Sequence, residues 1–131
     1  MRVTGPAEHS QHRTAVRGRL VVPVTAKYVG NDLTGETVDL SETGLRANFD
    51  GYGLPPDAGN RLDLVIRLEE GAISAEAEVV RTMAKGPVWL LSIRFTSIEV
   101  RDQDKIRRRV FQALREERAR MADDASGDLG R

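Results

Sequence analysis

Residues 61–68, RLDLVIRL, alternate apolar Leu62, Leu64, Ile66 and Leu68 with Asp63 and Arg67. A period of two places one face of an extended segment in a core and the other in water. The alternation recurs in AISAEAEVVRTMA at 72–84, where Ala75, Ala77 and Val79 oppose Glu76 and Glu78. It recurs again in VWLLSIRFTSI at 88–98, where Trp89, Leu91, Ile93 and Phe95 share a face. Upstream, the β-branched run RLVVPVTAKYV from Arg19 reads as a strand in which Pro23 marks an edge or a bulge. GETVDL at 35–40 and GLRANF at 44–49 read as two short strands around SET, while GNDLTG and GYGLPPDAGN carry the residues of turns and loops.

After these six strands the period lengthens to about 3.6, with Ile106, Val110, Ala113 and Leu114 in one stripe that Met121 extends. A helix of about twenty residues from about Asp102 is predicted. The last ten residues, ADDASGDLGR, show no periodicity and read as a disordered tail. The expected organisation is a flexible arm over 1–18, a β-structure plus helix over 19–121 and a tail over 122–131. Six short strands followed by one amphipathic helix define an all-β core with a C-terminal helix, a small antiparallel barrel or sandwich with the helix as a lid.

Composition narrows the function classes. The 131 residues are 40% hydrophobic and 31% charged, which suits one domain with a single core and not a disordered chain. Twenty basic and twenty acidic residues cancel, so no overall field draws the chain to nucleic acid or to an anionic membrane. The absence of cysteine removes disulfides, thiol catalysis and the common zinc-finger ligand sets. His9 and His12 have no ligating company, so neither a metal nor a cofactor is expected. The opening residues hold no apolar signal-like run, and no stretch approaches the roughly 20 apolar residues of a membrane span, so a cytoplasmic location is expected.

Charge is nevertheless local: residues 1–20 hold Arg2, Arg13, Arg17 and Arg19 against Glu8 alone. Arg13 and Arg17 form an Arg-x-x-x-Arg pair, a pattern that should arise about twice by chance in so arginine-rich a chain. Asp39, Ser41 and Gly44 form the rarer Asp-x-Ser-x-x-Gly pattern, DLSETG. Paired guanidinium groups suit phosphate oxygens and stack on flat bases. A carboxylate and a hydroxyl two apart on an extended segment suit ring N–H donors, those of guanine best, and Gly44 permits close backbone passage or positive φ. On spacing alone both stretches also have plain structural readings, a hairpin turn for DLSETG and a solvated arm for the arginines. The run KIRRR at 105–109 similarly reads as the wet face of the helix.

Taken together, RTAVR, VVPV and DLSETG, in this order and followed by strands and a helix, resemble the PilZ domain, a bacterial receptor module for the second messenger cyclic di-GMP. The resemblance runs from about Gln11 through Ile98 and into the helix. It implies a six-stranded antiparallel PilZ-type β-barrel capped by one α-helix. It implies that Arg13 and Arg17 grip phosphates and stack on guanine, and that Asp39, Ser41 and Gly44 hold a guanine on the barrel surface. The arm would close over the ligand, commonly an intercalated dimer of cyclic di-GMP, and the altered surface would engage a downstream protein. Two departures stand out: His12 occupies a place where the family often has another Arg, and WLLS puts Ser92 where a Gly often follows the Trp. Trp89 is thus a ligand contact by family position and a core residue by its place in an apolar strand.

The resulting expectation is a non-enzymatic signalling effector, a monomer or weak dimer. Its alternative is a PilZ-like protein-interaction scaffold that does not bind nucleotide. A hydrolase using Asp39 and Ser41 is the remaining reading, and no serine here has a recognisable nucleophile context.

Overall fold

The computed structural model describes residues 17–51 and 54–129, with side chains described as far as residue 122. Arg13 and His12 lie outside the described residues. The elements are β1 (Gly18–Arg19), β2 (Pro23–Tyr28), β3 (Asn31–Leu40), β4 (Gly44–Asp50), β5 (Arg61–Leu68), β6 (Gly71–Lys85), β7 (Val88–Ser97) and α1 (Val100–Leu129). All strand pairs are antiparallel, in the order β3-β2-β5-β6-β7-β4 with β4 returning to β3, so six strands close a barrel. Two-residue β1 adds to β3 beyond the end of β2, and the pair behaves as one long strand interrupted at 20–22.

The interruption is where Pro23 matters. Proline supplies no N–H to a ladder, and it opens β2 at the point where pairing resumes. Buried Thr37 bridges the gap: its hydroxyl accepts from Val22 N at 2.9 Å and donates to Leu20 O, while its own N–H reaches Val22 O at 3.0 Å. Backbone groups left unpaired by the break are thereby satisfied.

The period-two residues fill the barrel. Leu62, Leu64, Ile66, Ala75, Ala77, Val79, Leu91 and Ile93 are buried from the β5–β7 side, and Val24, Ala26, Leu45, Ala47 and Phe49 meet them from β2 and β4. Helix α1 contributes Ile106 and Val110, both fully buried, with Ala113 and Leu114 packed against the same cluster. Met121 does not continue that stripe, being 66% exposed, because the apolar spacing lapses after Leu114 into the charged run REERAR at 115–120.

Three element boundaries differ from the sequence reading. Strand β3 begins at Asn31, so GNDLTG is largely strand, and the turn is the two-residue Val29–Gly30 loop between paired Tyr28 and Asn31. Helix α1 begins at Val100, where Glu99 O accepts from the N–H groups of Asp102 and Gln103. It also continues through 122–129, assigned above to the tail: the segment has no proline, and elongating an existing helix avoids the cost of nucleating one.

Candidate functional site

A groove of about 970 Å³ runs along the outer wall where the chain enters β1, the β3–β4 turn, the second half of β7 and the start of α1 meet. Its volume is at the upper end of the roughly 300–1,000 Å³ of small-molecule sites. Arg17, Asp39, Gly44 and Arg46 line one part of it, Arg94 and Ser97 another, and Val80, Phe95 and Ile98 give it an apolar flank. Among the residues singled out in the sequence, the fold therefore brings together Arg17, Asp39 and Gly44.

Asp39 reaches this wall through the register of β3 and β4. Leu40 pairs with Leu45 and Asp39 with Arg46, and then a bulge at Val38 brings Thr37 opposite Ala47. Arg46 lies between buried Leu45 and Ala47, so it and its partner Asp39 face outward. The bulge sets Thr37 on the opposite side, inward, where it braces the β1–β2 break; strict alternation would have put Thr37 and Asp39 on one face. The Asp39 carboxylate lies beneath two guanidinium groups, and the side chain is only 6% exposed. Arg17 Nη1 donates to Oδ1, and Arg46 Nε donates to Oδ2 at 2.7 Å, with Nη2 in ion-pair contact with the same oxygen at 2.6 Å.

Ser41 and Gly44 build the turn. Ser41 Oγ accepts from the N–H groups of Thr43 and Gly44, each at 3.2 Å, and lies within reach of Gly44 O and Thr43 Oγ1 at 3.2 and 3.0 Å. That hydroxyl is buried and does not line the groove, so the structure assigns it to turn geometry, not to presenting a donor outward. A Cβ on Gly44 would lie 2.2 Å from Ile93 O. The glycine thus permits close passage of β4 over β7, and no positive φ is involved. The turn is further held by Phe95 N donating to Thr43 O at 2.9 Å.

Helix α1 holds the same turn from the other side. Gln103 Nε2 donates to Glu42 O at 3.2 Å, and Arg107 Nε donates to Glu42 Oε2 at 2.8 Å while Arg107 Nη1 pairs with Asp104 at 2.8 Å. The hydrogen bond to Glu42 and its charge raise the Arg107 pKa above its ordinary value. Part of KIRRR is therefore an internal tether. At the other half of the site, Gly18 lies flat under the helix, its Cβ position 3.1 Å from Val110 Cγ1 and 3.5 Å from Leu114 Cγ. The helix touches both the residue after Arg17 and the turn after Asp39.

Trp89 is not part of the groove. It is 4% exposed, and its ring lies over Gly51, whose Cβ would come within 2.1 Å of it. It sits near the Val88 end of β7, whereas the groove is lined by Ser92–Ser97 and Ile98, so the core reading is the one the structure supports. Arg46, conversely, went unmarked in the sequence. Its signal was the tight loop itself: pairing Leu40 with Leu45 necessarily sets Asp39 opposite Arg46.

The family model for the PilZ domain matches residues 11–112. The chain belongs to the PilZ domain family, receptor domains built on this barrel. No curated protein sequence gives a significant match. Among solved structures, the Bacillus subtilis inhibitor of motility MotI/DgrA is similar at 22% identity and a TM-score of 0.66, with 80% of this chain and 51% of that one covered. The chain thus spans about half the length of MotI/DgrA. The PilZ domain of Escherichia coli YcgR, solved with c-di-GMP, is 19% identical at a TM-score of 0.65, covering 86% of this chain and 98% of that one. The PilZ domain of CeSA from a cellulose-synthesizing bacterium is 19% identical at a TM-score of 0.53, covering 74% and 96%. At these identities the likeness is one of fold. No helix among the described residues is long and apolar enough to cross a membrane.

Proposed function

We propose that the chain binds cyclic di-GMP in the groove described above and acts as a signalling receptor that catalyses nothing. The observation that carries this reading is the convergence of Arg17, Asp39 and Gly44, up to 27 positions apart in the chain, on one groove. Arg17 and Arg13 supply guanidinium groups for phosphate and for stacking on guanine. Asp39 supplies a carboxylate for guanine's ring N–H and amino donors, and Ser41 and Gly44 keep the turn in shape beneath it. The reordered surface, with helix α1 tied to both halves of the site, then engages a downstream protein.

Calorimetric titration with cyclic di-GMP tests the reading and reports whether one molecule or an intercalated pair is bound. The wild type should bind, and Arg17→Ala and Asp39→Ala should each weaken binding by at least tenfold, about 1.4 kcal/mol. Undiminished affinity in both variants would sink the proposal. A wild type that binds no nucleotide at micromolar concentrations would favour the protein-interaction scaffold instead.

A further inference from the structure

Both oxygens of Asp39 are already engaged, Oδ1 by Arg17 and Oδ2 by Arg46. Each oxygen could accept a further hydrogen bond, but the side chain is only 6% exposed beneath the two guanidinium groups, so a guanine edge reaches it only when one of the two cations gives way. The two are held very differently. Arg17 touches Asp39 through Nη1 alone and precedes a two-residue strand. Arg46 lies inside β4, paired in register with Asp39 on β3 and Ser92 on β7, and brings two nitrogens to the same oxygen. Losing Arg17 breaks one contact, whereas losing Arg46 removes a partner seated on β4 between two paired strands.

Asp39 also needs whichever cation remains. A carboxylate so nearly covered loses most of its hydration and is held in place by its charged hydrogen-bonding partners. Among the described residues no third cation hydrogen-bonds to it. Arg94, in the same groove, is paired with Glu78, and Arg107 with Glu42 and Asp104. Arg46 Nε and Nη2 both lie against Oδ2, and the side chain rises from the middle of β4, so this partner is positioned by the sheet as well as by its charge.

We propose that Arg46 is the positioning residue of this site: it holds Asp39 aimed into the groove while Arg17 exchanges from Asp39 to the ligand. The inference rests on the cyclic di-GMP reading and deepens it. Base selectivity separates it from a merely structural role. Adenine lacks the ring N–H that a carboxylate accepts, so an aimed Asp39 favours cyclic di-GMP over cyclic di-AMP, and general damage to the fold weakens both alike.

Titration of both dinucleotides against wild type, Arg46→Gln and Arg46→Lys is the test. The guanine-to-adenine affinity ratio should fall at least tenfold in Arg46→Gln and recover by severalfold in Arg46→Lys, with thermal unfolding little changed. An unaltered ratio in Arg46→Gln overturns the proposal and leaves cyclic di-GMP binding standing; a wild type that binds neither dinucleotide removes both. Arginine side-chain NMR on the wild type gives an independent check should Arg46→Gln not fold. On saturation with cyclic di-GMP the Arg46 Nε–H resonance should hold its position while that of Arg17 moves, and the opposite pattern overturns the assignment.

Discussion

Gly44 and Asp39 belong to one short motif, yet they answer to different forces. A side chain on Gly44 would run into a backbone carbonyl, which cannot rotate away as a neighbouring side chain could. Gly44→Ala should therefore cost about 3 kcal/mol in denaturant unfolding, at the upper end of overpacking penalties. Any accompanying loss of ligand reports the fold. Asp39→Ala is the contrasting case. Its partners Arg17 and Arg46 are about half exposed, at 46% and 48%, and can turn into water once released, so the stability change should be only about 1 kcal/mol. A Gly44→Ala variant as stable as wild type would show that β4 can shift away from β7, and would return this glycine to a direct role at the ligand. The motif was legible as a unit in the sequence because its residue types are unusual together. That Ser41 turns inward to its own loop was not, because hydroxyls serve turns and ligands with the same chemistry.

At the scale of elements, the strands were legible wherever one face is wet, since alternation then survives in the sequence. Residues 31–34 read as a turn because Asn, Asp and Thr are common there, but cross-strand pairing with β2 outweighs local preference. The true turn is poorly made. Val29 and Gly30 both have positive φ, 50° and 79°, as a two-residue hairpin with strand-matched twist requires. Gly30 adopts this freely, whereas a β-branched residue does so under strain of about 1–2 kcal/mol. Val29 is 81% exposed, so no packing compensates. Val29→Asn, which creates the favoured Asn-Gly sequence, should stabilise the protein by about 1 kcal/mol with its denaturant slope unchanged. An equal or lower midpoint would mean that the hairpin does not hold this geometry in solution. Arg46 escaped notice for a related reason: its partner depends on the length of the β3–β4 loop, which is not written in residue types alone.

Across the whole molecule, the groove and the single tryptophan sit at opposite ends of β7. Ligand chemistry lies with Ser92–Ser97 and the elements gathered there, while Trp89 pairs with Phe49 and closes the far end over Gly51. Sequence position alone could not separate these ends, because Trp89 and Phe95 share one face of one strand and differ only in how far along it they lie. About 3.3 Å of rise per residue makes that difference roughly 20 Å. The barrel core between them is close-packed and transmits little movement unless a whole element shifts. Trp89 emission should therefore be that of a buried indole and keep its maximum when cyclic di-GMP saturates the protein. The same signal should shift to the red on unfolding, and its thermal midpoint should rise with ligand concentration, because a ligand that binds only the folded state adds about 2.7 kcal/mol at a hundredfold excess over Kd. A ligand-induced shift of the emission maximum, corrected for nucleotide absorbance, would mean either that the nucleotide reaches the Val88 end of β7 or that the barrel itself rearranges, and in both cases the groove would not be the whole site.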